Sequence, residues 1–232
     1  MGVTKKSFGK SPEGKDVFLY ELKNENGVAA SVTDFGAILV SVMVPDKNKK
    51  LTDVVLGYDT VEGYYENKPH FGSPIGRNGN RIGGAKFTIN GKEYVLAQND
   101  NKNNLHSGPD FYRTRVWDVE EVKEQENSIT FRIFSPDGDQ GFPGNFTGYV
   151  TYKLTDDNEL VMHYTGSADA DTVVNMTNHS YFNLAGHNAG AESMLNHVVQ
   201  IHAPEFTPVS DSEAIPTGEI LKVEGTPMDF TS

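Results

Sequence analysis

The chain has 232 residues, of which 20 are basic and 32 acidic, for a formal net charge of −12. Hydrophobic residues at 37% and aromatics at 10% suffice for a packed core, which excludes a globally disordered chain. No Cys is present, which excludes disulfides, a thiol nucleophile and any thiolate metal site.

The predicted elements are strands almost throughout. Short alternating or apolar runs between turn dipeptides predict strands over 16–21, 29–33, 38–44 and 53–56. One or two helical turns are expected over 59–65, opening with Asp59 or Thr60 as a cap. Strands over 86–89 and 93–97 flank Asn90-Gly91, a strong hairpin signal. The series continues over 128–134, 148–154, 160–165, 173–177, 198–202 and 219–223. No stretch sustains a helical apolar stripe over three turns. Many strands at short spacing imply a sandwich or barrel rather than βαβ units. A single all-β domain over 1–232 is the simplest account. The chain reaches Asp229-Phe230-Thr231-Ser232 with no finishing element, which implies an unpaired sheet edge and, through it, self-association or a partner chain.

Charge narrows the partners. Residues 1–116 carry 16 Lys/Arg against 13 Asp/Glu, and residues 117–232 carry 4 against 19. The acidic half repels phosphate backbones, so nucleic acid is not an expected partner; the bland reading is a solvated acidic surface. The N-terminus Met1–Lys6 is charged, with no apolar stretch after it, and no run approaches the ~18 apolar residues of a membrane span. The expectation is a cytoplasmic protein without a membrane partner.

Four segments could carry chemistry. Residues 71–84 hold two Arg, two Asn and five Gly. The glycines permit tight turns from which Arg and Asn project donors suited to a polyhydroxylated ligand; the alternative is a surface turn with solvated Arg. No Lys-Ser/Thr follows the glycines, so it is not a phosphate loop. In Asn103-Asn104-Leu105-His106-Ser107-Gly108, His106 is an acid, a base, a donor or simply a loop residue. If residues 175–186 form one strand, parity places Thr177, His179, Tyr181 and Asn183 on one face and Met176, Asn178, Ser180, Phe182 and Leu184 on the other. That polar row suits a site wall, or a solvent-facing strand side. The turn-rich segment 135–144, with Asp137 and Asp139, lacks the ligand series of a calcium loop and reads as structural. There is no HExxH and no G-x-S-x-G.

Taken in order, the segments around 76–82, 105–108, 135–144, 175–186 and 215–230 resemble those of the aldose 1-epimerase (galactose mutarotase) family. The run Thr177-Asn178-His179-Ser180-Tyr181-Phe182-Asn183-Leu184-Ala185-Gly186 is the most specific, and Ile215-Pro216-Thr217-Gly218-Glu219 supports it. The resemblance implies an all-β fold, an extended antiparallel β-sandwich of the galactose mutarotase-like supersandwich type. It implies interconversion of the α and β anomers of hexoses such as galactose and glucose, with no cofactor and no metal. On this resemblance His179 is the proton donor to the ring oxygen and His106 contacts the sugar and assists. Asn80 and Arg81 bind sugar hydroxyls, and Ser180 and Tyr181 line the wall beside the acid.

The resemblance also marks departures. The family's general-base Glu, and an Asp that binds the sugar, belong to motifs beyond the Asp229–Phe230 step and have no match here, so the expected fold is C-terminally incomplete. None of Glu192, Glu205, Glu213, Glu219 or Glu224 sits in the base's motif. Ser107 stands where Gly is usual, and Asn78-Gly79 is unusual within the Arg-containing loop. The alternatives to an enzyme fragment are a carbohydrate-binding chain without turnover, or one half of a two-chain enzyme.

Overall fold

The computed structural model describes residues 2–210 and 212–230. Thr231 and Ser232, at the expected sheet edge, lie outside the described residues.

Five antiparallel strands form the first sheet in chain order: β1 (Gly2–Lys10), β2 (Asp16–Lys23), β3 (Ala29–Thr33), β4 (Leu39–Pro45) and β5 (Leu51–Asp53). Helix α1 (Gly63–Glu66) follows. Short strands come next: β6 (Pro74–Ile75), β7 (Arg81–Ile82), β8 (Lys86–Ile89), β9 (Lys92–Val95) and β10 (Asn104–Leu105). The second sheet is β11 (Asp118–Lys123), β12 (Ser128–Ser135), β13 (Phe146–Leu154) and β14 (Leu160–Ala168), also antiparallel and in chain order. After β15 (Thr177–Asn178) the described residues form only two-residue strands: β16 (Glu205–Phe206), β17 (Val209–Ser210), β18 (Ile215–Pro216) and β19 (Leu221–Lys222).

Period-two patterning explains the layering. β13 alternates strictly, turning Phe146, Gly148, Val150, Tyr152 and Leu154 inward. Its Val150 and Tyr152 join Ile129, Phe131 and Ile133 of β12 against Tyr20, Leu22, Ala30, Val32 and Leu39 of the first sheet. The main core therefore lies between the two sheets, as in a sandwich. β2 serves two apolar layers. Tyr20 and Leu22 face the core, whereas Val17 and Leu19 pack outward with Phe35, Ile38, Val40, Val61 and Tyr64 of α1. β3 is paired on both sides, by β2 and β4, and all five of its residues are buried. Tyr152 anchors the sheets across the core by donating its buried hydroxyl to Ala37 O at 2.7 Å.

Several boundaries differ from expectation. The Asn90-Gly91 hairpin forms between β8 and β9, with φ of 51° and 78° at the two turn residues. Helix α1 starts later than expected, and neither Asp59 nor Thr60 caps it: the cap position is Glu62, without a side-chain bond. Residues 173–176 and 198–202 are not strands, and 219–223 reduces to Leu221–Lys222. Alternation alone overcounts strands where no neighbour supplies a ladder. β1 and β11 were not anticipated. Both are charged edge strands, and charge at an edge weakens the apolar signal while discouraging pairing with other chains. Among the described residues no helix is long and apolar enough to cross a membrane.

Candidate active site

Two small ladders bring the key side chains together. β6 pairs with β15, setting Thr177 opposite Ile75 and Asn178 opposite Pro74. The next residue, His179, donates its backbone N–H to Ser73 O at 2.9 Å. β7 pairs with β10, setting Leu105 opposite Arg81, and His106 follows directly. The Gly-rich loop connects β6 to β7 and so ties one ladder to the other. It runs alongside Asn175, accepting Asn175 N–H at Arg77 O and donating Gly79 N–H to Asn175 O. A side chain at Gly79 would press on Thr177 Cγ2 at 2.9 Å, so only glycine permits this approach.

The two ladders place the rings of His106 and His179 edge to face, 5.2 Å between centroids. His106 adopts a left-handed backbone, φ 56°, as does Asn80, φ 61°. They exchange bonds: His106 N–H donates to Asn80 O, and Asn80 N–H donates to His106 Nδ1, both at 3.0 Å. A ring nitrogen that accepts from a backbone N–H cannot carry a proton. His106 is therefore the neutral Nε2–H tautomer, a donor rather than a proton store. Its pKa falls to about 4, chiefly through burial, with His179 and Arg81 adding to the effect and Asp100 opposing it. Among the described residues, His179 makes no side-chain hydrogen bond, and its ring packs on Tyr181 at 5.3 Å.

Arg81 sits beside this pair. Its Nε donates to Asp100 at 2.6 Å and its Nη1 to Asn80 Oδ1 at 3.3 Å, which fixes the guanidinium and leaves its outer N–H groups for a ligand. Asn80 itself is exposed. The other arginine of the loop behaves differently. Arg77 is fully buried, and all five of its donors are consumed by Ser135 Oγ and O, Pro136 O, Pro143 O and Thr172 Oγ1. It is an internal brace, not a ligand donor.

The segment 175–186 is not one strand. β15 ends at Asn178, and only Phe182 re-enters a ladder, bridging Val55. Tyr181 is 43% exposed, on the same side as His179 and against Phe71. Asn183, expected on that same face, is buried and bonded to Ser193. The Ser180 hydroxyl is buried with no hydrogen-bond partner among the described residues, while its N–H is held by Asn178 Oδ1. Segment 135–144 is structural: Asp139 is gripped by both Nη atoms of Arg115, and Asp137 accepts Gly144 N–H. Among the described residues no group of three or more His, Asp or Glu side chains is arranged to hold a metal ion.

Sequence reasoning missed one residue of the site, His70. Its ring lies 5.2 Å from His106, 5.5 Å from His179 and 4.9 Å from Phe111. The available signal was a histidine in a turn immediately before the Gly-rich loop, Pro69-His70-Phe71-Gly72.

Comparison with known proteins points one way. The profile of the family described as aldose 1-epimerase matches residues 19–232. The galactose mutarotase of Bos taurus is 40% identical over 99% of this chain and 65% of its own length, and the aldose 1-epimerase of Escherichia coli K12 is 37% identical over 96% and 62%. The chain thus spans just under two thirds of the length of these relatives. Among solved structures, the GalM/aldose epimerase homologue from C. elegans superposes with a TM-score of 0.84 at 34% identity, over 91% of this chain and 63% of that one. The galactose 1-epimerase from Lactobacillus acidophilus superposes at 0.83 with 25% identity, over 99% and 65%. With its sandwich fold and its paired histidines, the chain belongs to the aldose 1-epimerase family.

Proposed function

We propose that this chain carries the acid and sugar-binding side of an aldose 1-epimerase that interconverts the anomers of a hexose such as galactose or glucose. The observation that carries the reading is the division of labour within the histidine pair. His106 is pinned by Asn80 N–H as a neutral donor, whereas the ring nitrogens of His179 are free to hold and transfer a proton.

In this reading the sugar lies against the His106–His179–Tyr181 wall. Arg81, Asn80 and His106 Nε2–H take its hydroxyls. His179 protonates the ring oxygen while a base removes the C1 hydroxyl proton. The ring opens to the aldehyde, the C1–C2 bond rotates, and reclosure on the other face returns both protons. Positioned acid and base groups each contribute roughly 10²–10⁴-fold. The acid, on this proposal, is His179. The base is the Glu that the family resemblance places in a motif without a match in these 232 residues. Asp100, beside the wall, is engaged by Arg81 and is not that base.

A second reading, sugar binding without turnover, draws support from the same fact: donors for a sugar are in place while the nearby carboxylate is spent. The chain acts as one domain in either case, as the core shared by both sheets suggests. Exposed Leu195, Val198 and Ile201 support self-association or a partner chain, which light scattering would measure.

The deciding experiment is polarimetric relaxation of freshly dissolved α-D-galactose with the purified chain, alone and joined to the C-terminal segment of an aldose 1-epimerase that carries the base, each also as His179→Ala. The enzyme reading expects acceleration once the base is supplied, and its loss in His179→Ala. A folded chain that binds galactose without acceleration even when the base is supplied selects the second reading.

A further inference from the structure

His70 is a third imidazole on the same wall, and its surroundings fix its chemical state. Buried Asn67 braces the turn that presents it. Asn67 Oδ1 accepts Phe71 N–H at 2.9 Å, Nδ2 donates to Phe71 O at 3.1 Å, and His70 N–H donates to Asn67 O at 2.8 Å. His70 holds a left-handed backbone, φ 58°, which costs energy for a residue with a Cβ. Behind the ring lies Arg113, only 7% exposed, its guanidinium 4.9 Å over Phe111. Arg113 Nε donates to His70 Nδ1 at 3.1 Å.

A guanidinium does not surrender its proton, so His70 Nδ1 is an acceptor and the ring proton must sit on Nε2. The two ring nitrogens point in divergent directions. Nδ1 is taken by a buried arginine, whereas Nε2 has no hydrogen-bond partner among the described residues and is not among the buried unpartnered atoms, so it is open to a ligand. The charged and titratable groups around the ring are Arg113, His106 and His179, with Tyr58 near Arg113, and Arg81 and Asp100 beyond His106. Burial first, then Arg113, His106 and His179, depress the pKa of His70 to about 3. The ring therefore stays a neutral donor at any pH near neutrality.

We propose that His70 Nε2–H, oriented by Arg113, donates to a hydroxyl of the bound sugar and makes His70 a specificity-determining residue alongside His106 and Arg81. This rests on the reading of the wall as a sugar site. Arg113 is then a positioning residue, acting only through His70.

Two isosteric substitutions separate this role from a structural one. Asn offers an acceptor near the position of Nδ1, and Gln a donor near the position of Nε2. His70→Asn should keep the Arg113 bond and lose the sugar bond, weakening D-galactose binding about tenfold. His70→Gln should retain most of the affinity. If His70 serves only to satisfy Arg113, the order reverses: His70→Asn binds like the parent and His70→Gln is the damaged variant. That result overturns the proposal.

Imidazole ¹⁵N NMR on the full chain supplies a readout that does not depend on turnover or on variant folding. His70 should be an Nε2–H tautomer whose signal moves when D-galactose is added, together with those of His106 and His179. Movement of His106 and His179 without His70 defeats this inference alone. No movement of any of the three defeats the sugar-site reading, and this inference with it.

Discussion

Ser107 and Asn78 clamp one another: Asn78 N–H donates to Ser107 Oγ at 2.9 Å, and the same hydroxyl donates to Asn78 O at 3.1 Å. Both residues are buried, so the pair satisfies two backbone groups that water does not reach. It joins the Gly-rich loop to the residue after His106. The clamp thus joins Asn78 and Ser107, two of the positions that the family resemblance marks as departures.

The clamp predicts an ordered pair of variants. Ser107 has φ 58°, where a Cβ is strained. Ser107→Ala keeps the strain and orphans Asn78, at a cost of about 1–3 kcal/mol. Ser107→Gly also loses the clamp but relieves the strain, and should be less damaging by on the order of 1 kcal/mol. Urea unfolding of both variants checks this. Equal losses would show that the left-handed backbone carries no cost here.

Arg77 and Arg81 lie four residues apart and should respond in opposite ways to the same change. A lysine at 77 has three donors for five acceptors, so Arg77→Lys leaves buried oxygen atoms unpaired and should cost on the order of 3 kcal/mol. Arg81 is partly exposed, and Arg81→Lys should change stability by less than about 1 kcal/mol while weakening galactose binding. Unfolding curves and a galactose titration of both variants measure the contrast. A stable Arg77→Lys protein would mean that the buried brace is replaceable.

How much of this was legible beforehand follows from what each feature depends on. β13 and the Asn90-Gly91 hairpin depend on local pattern and could be read directly. The His106 and His179 motifs could be read as segments, but their 5.2 Å contact depends on two ladders closed by a loop, a long-range fact. The same limit explains the arginines. Nothing local distinguishes Arg77 from Arg81, because what separates them is that Ser135, Pro143 and Thr172 surround the first. His70 escaped notice because its role comes from Arg113, 43 residues away. Residues 198–202 show the converse error, a strand-like run to which no neighbour brings a ladder.

His106 should not titrate between pH 5 and 8. Its pKa is lowered to about 4, and Asn80 N–H occupies Nδ1 throughout. Below about pH 6.5 the unfolded chain takes up a proton that the folded chain refuses, so this residue contributes stability that is lost as pH falls toward 4. His106→Asn keeps an acceptor for Asn80 and removes the Nε2 donor. Its stability should no longer carry this loss, and sugar turnover in a complete enzyme should fall by about 10²-fold or more. An ionisation of His106 near pH 6.5, seen by ¹⁵N NMR, would contradict the assigned tautomer.

Asp34 should act in the opposite sense. It is 5% exposed, and its Oδ1 accepts Phe18 N–H at 2.9 Å. Burial outweighs that bond and raises its pKa from an ordinary value near 3.8 to about 6. The folded chain therefore holds a proton at pH values where the unfolded chain has released it. This carboxyl favours folding most below about pH 4, and the contribution disappears as pH rises through 6. About two units correspond to roughly 3 kcal/mol across that window. Asp34→Asn retains an oxygen for Phe18 N–H and cannot ionise. Because His70 and His106 tilt the parent's stability the other way, the informative quantity is the difference between variant and parent, measured by urea unfolding at pH 4, 5, 6 and 7. Asp34→Asn should gain on the parent from pH 4 to 6, and the difference should level off by pH 7. A constant difference would mean that Asp34 ionises in the folded chain as freely as in the unfolded one, and that the charge is accommodated beside Phe18 at no cost.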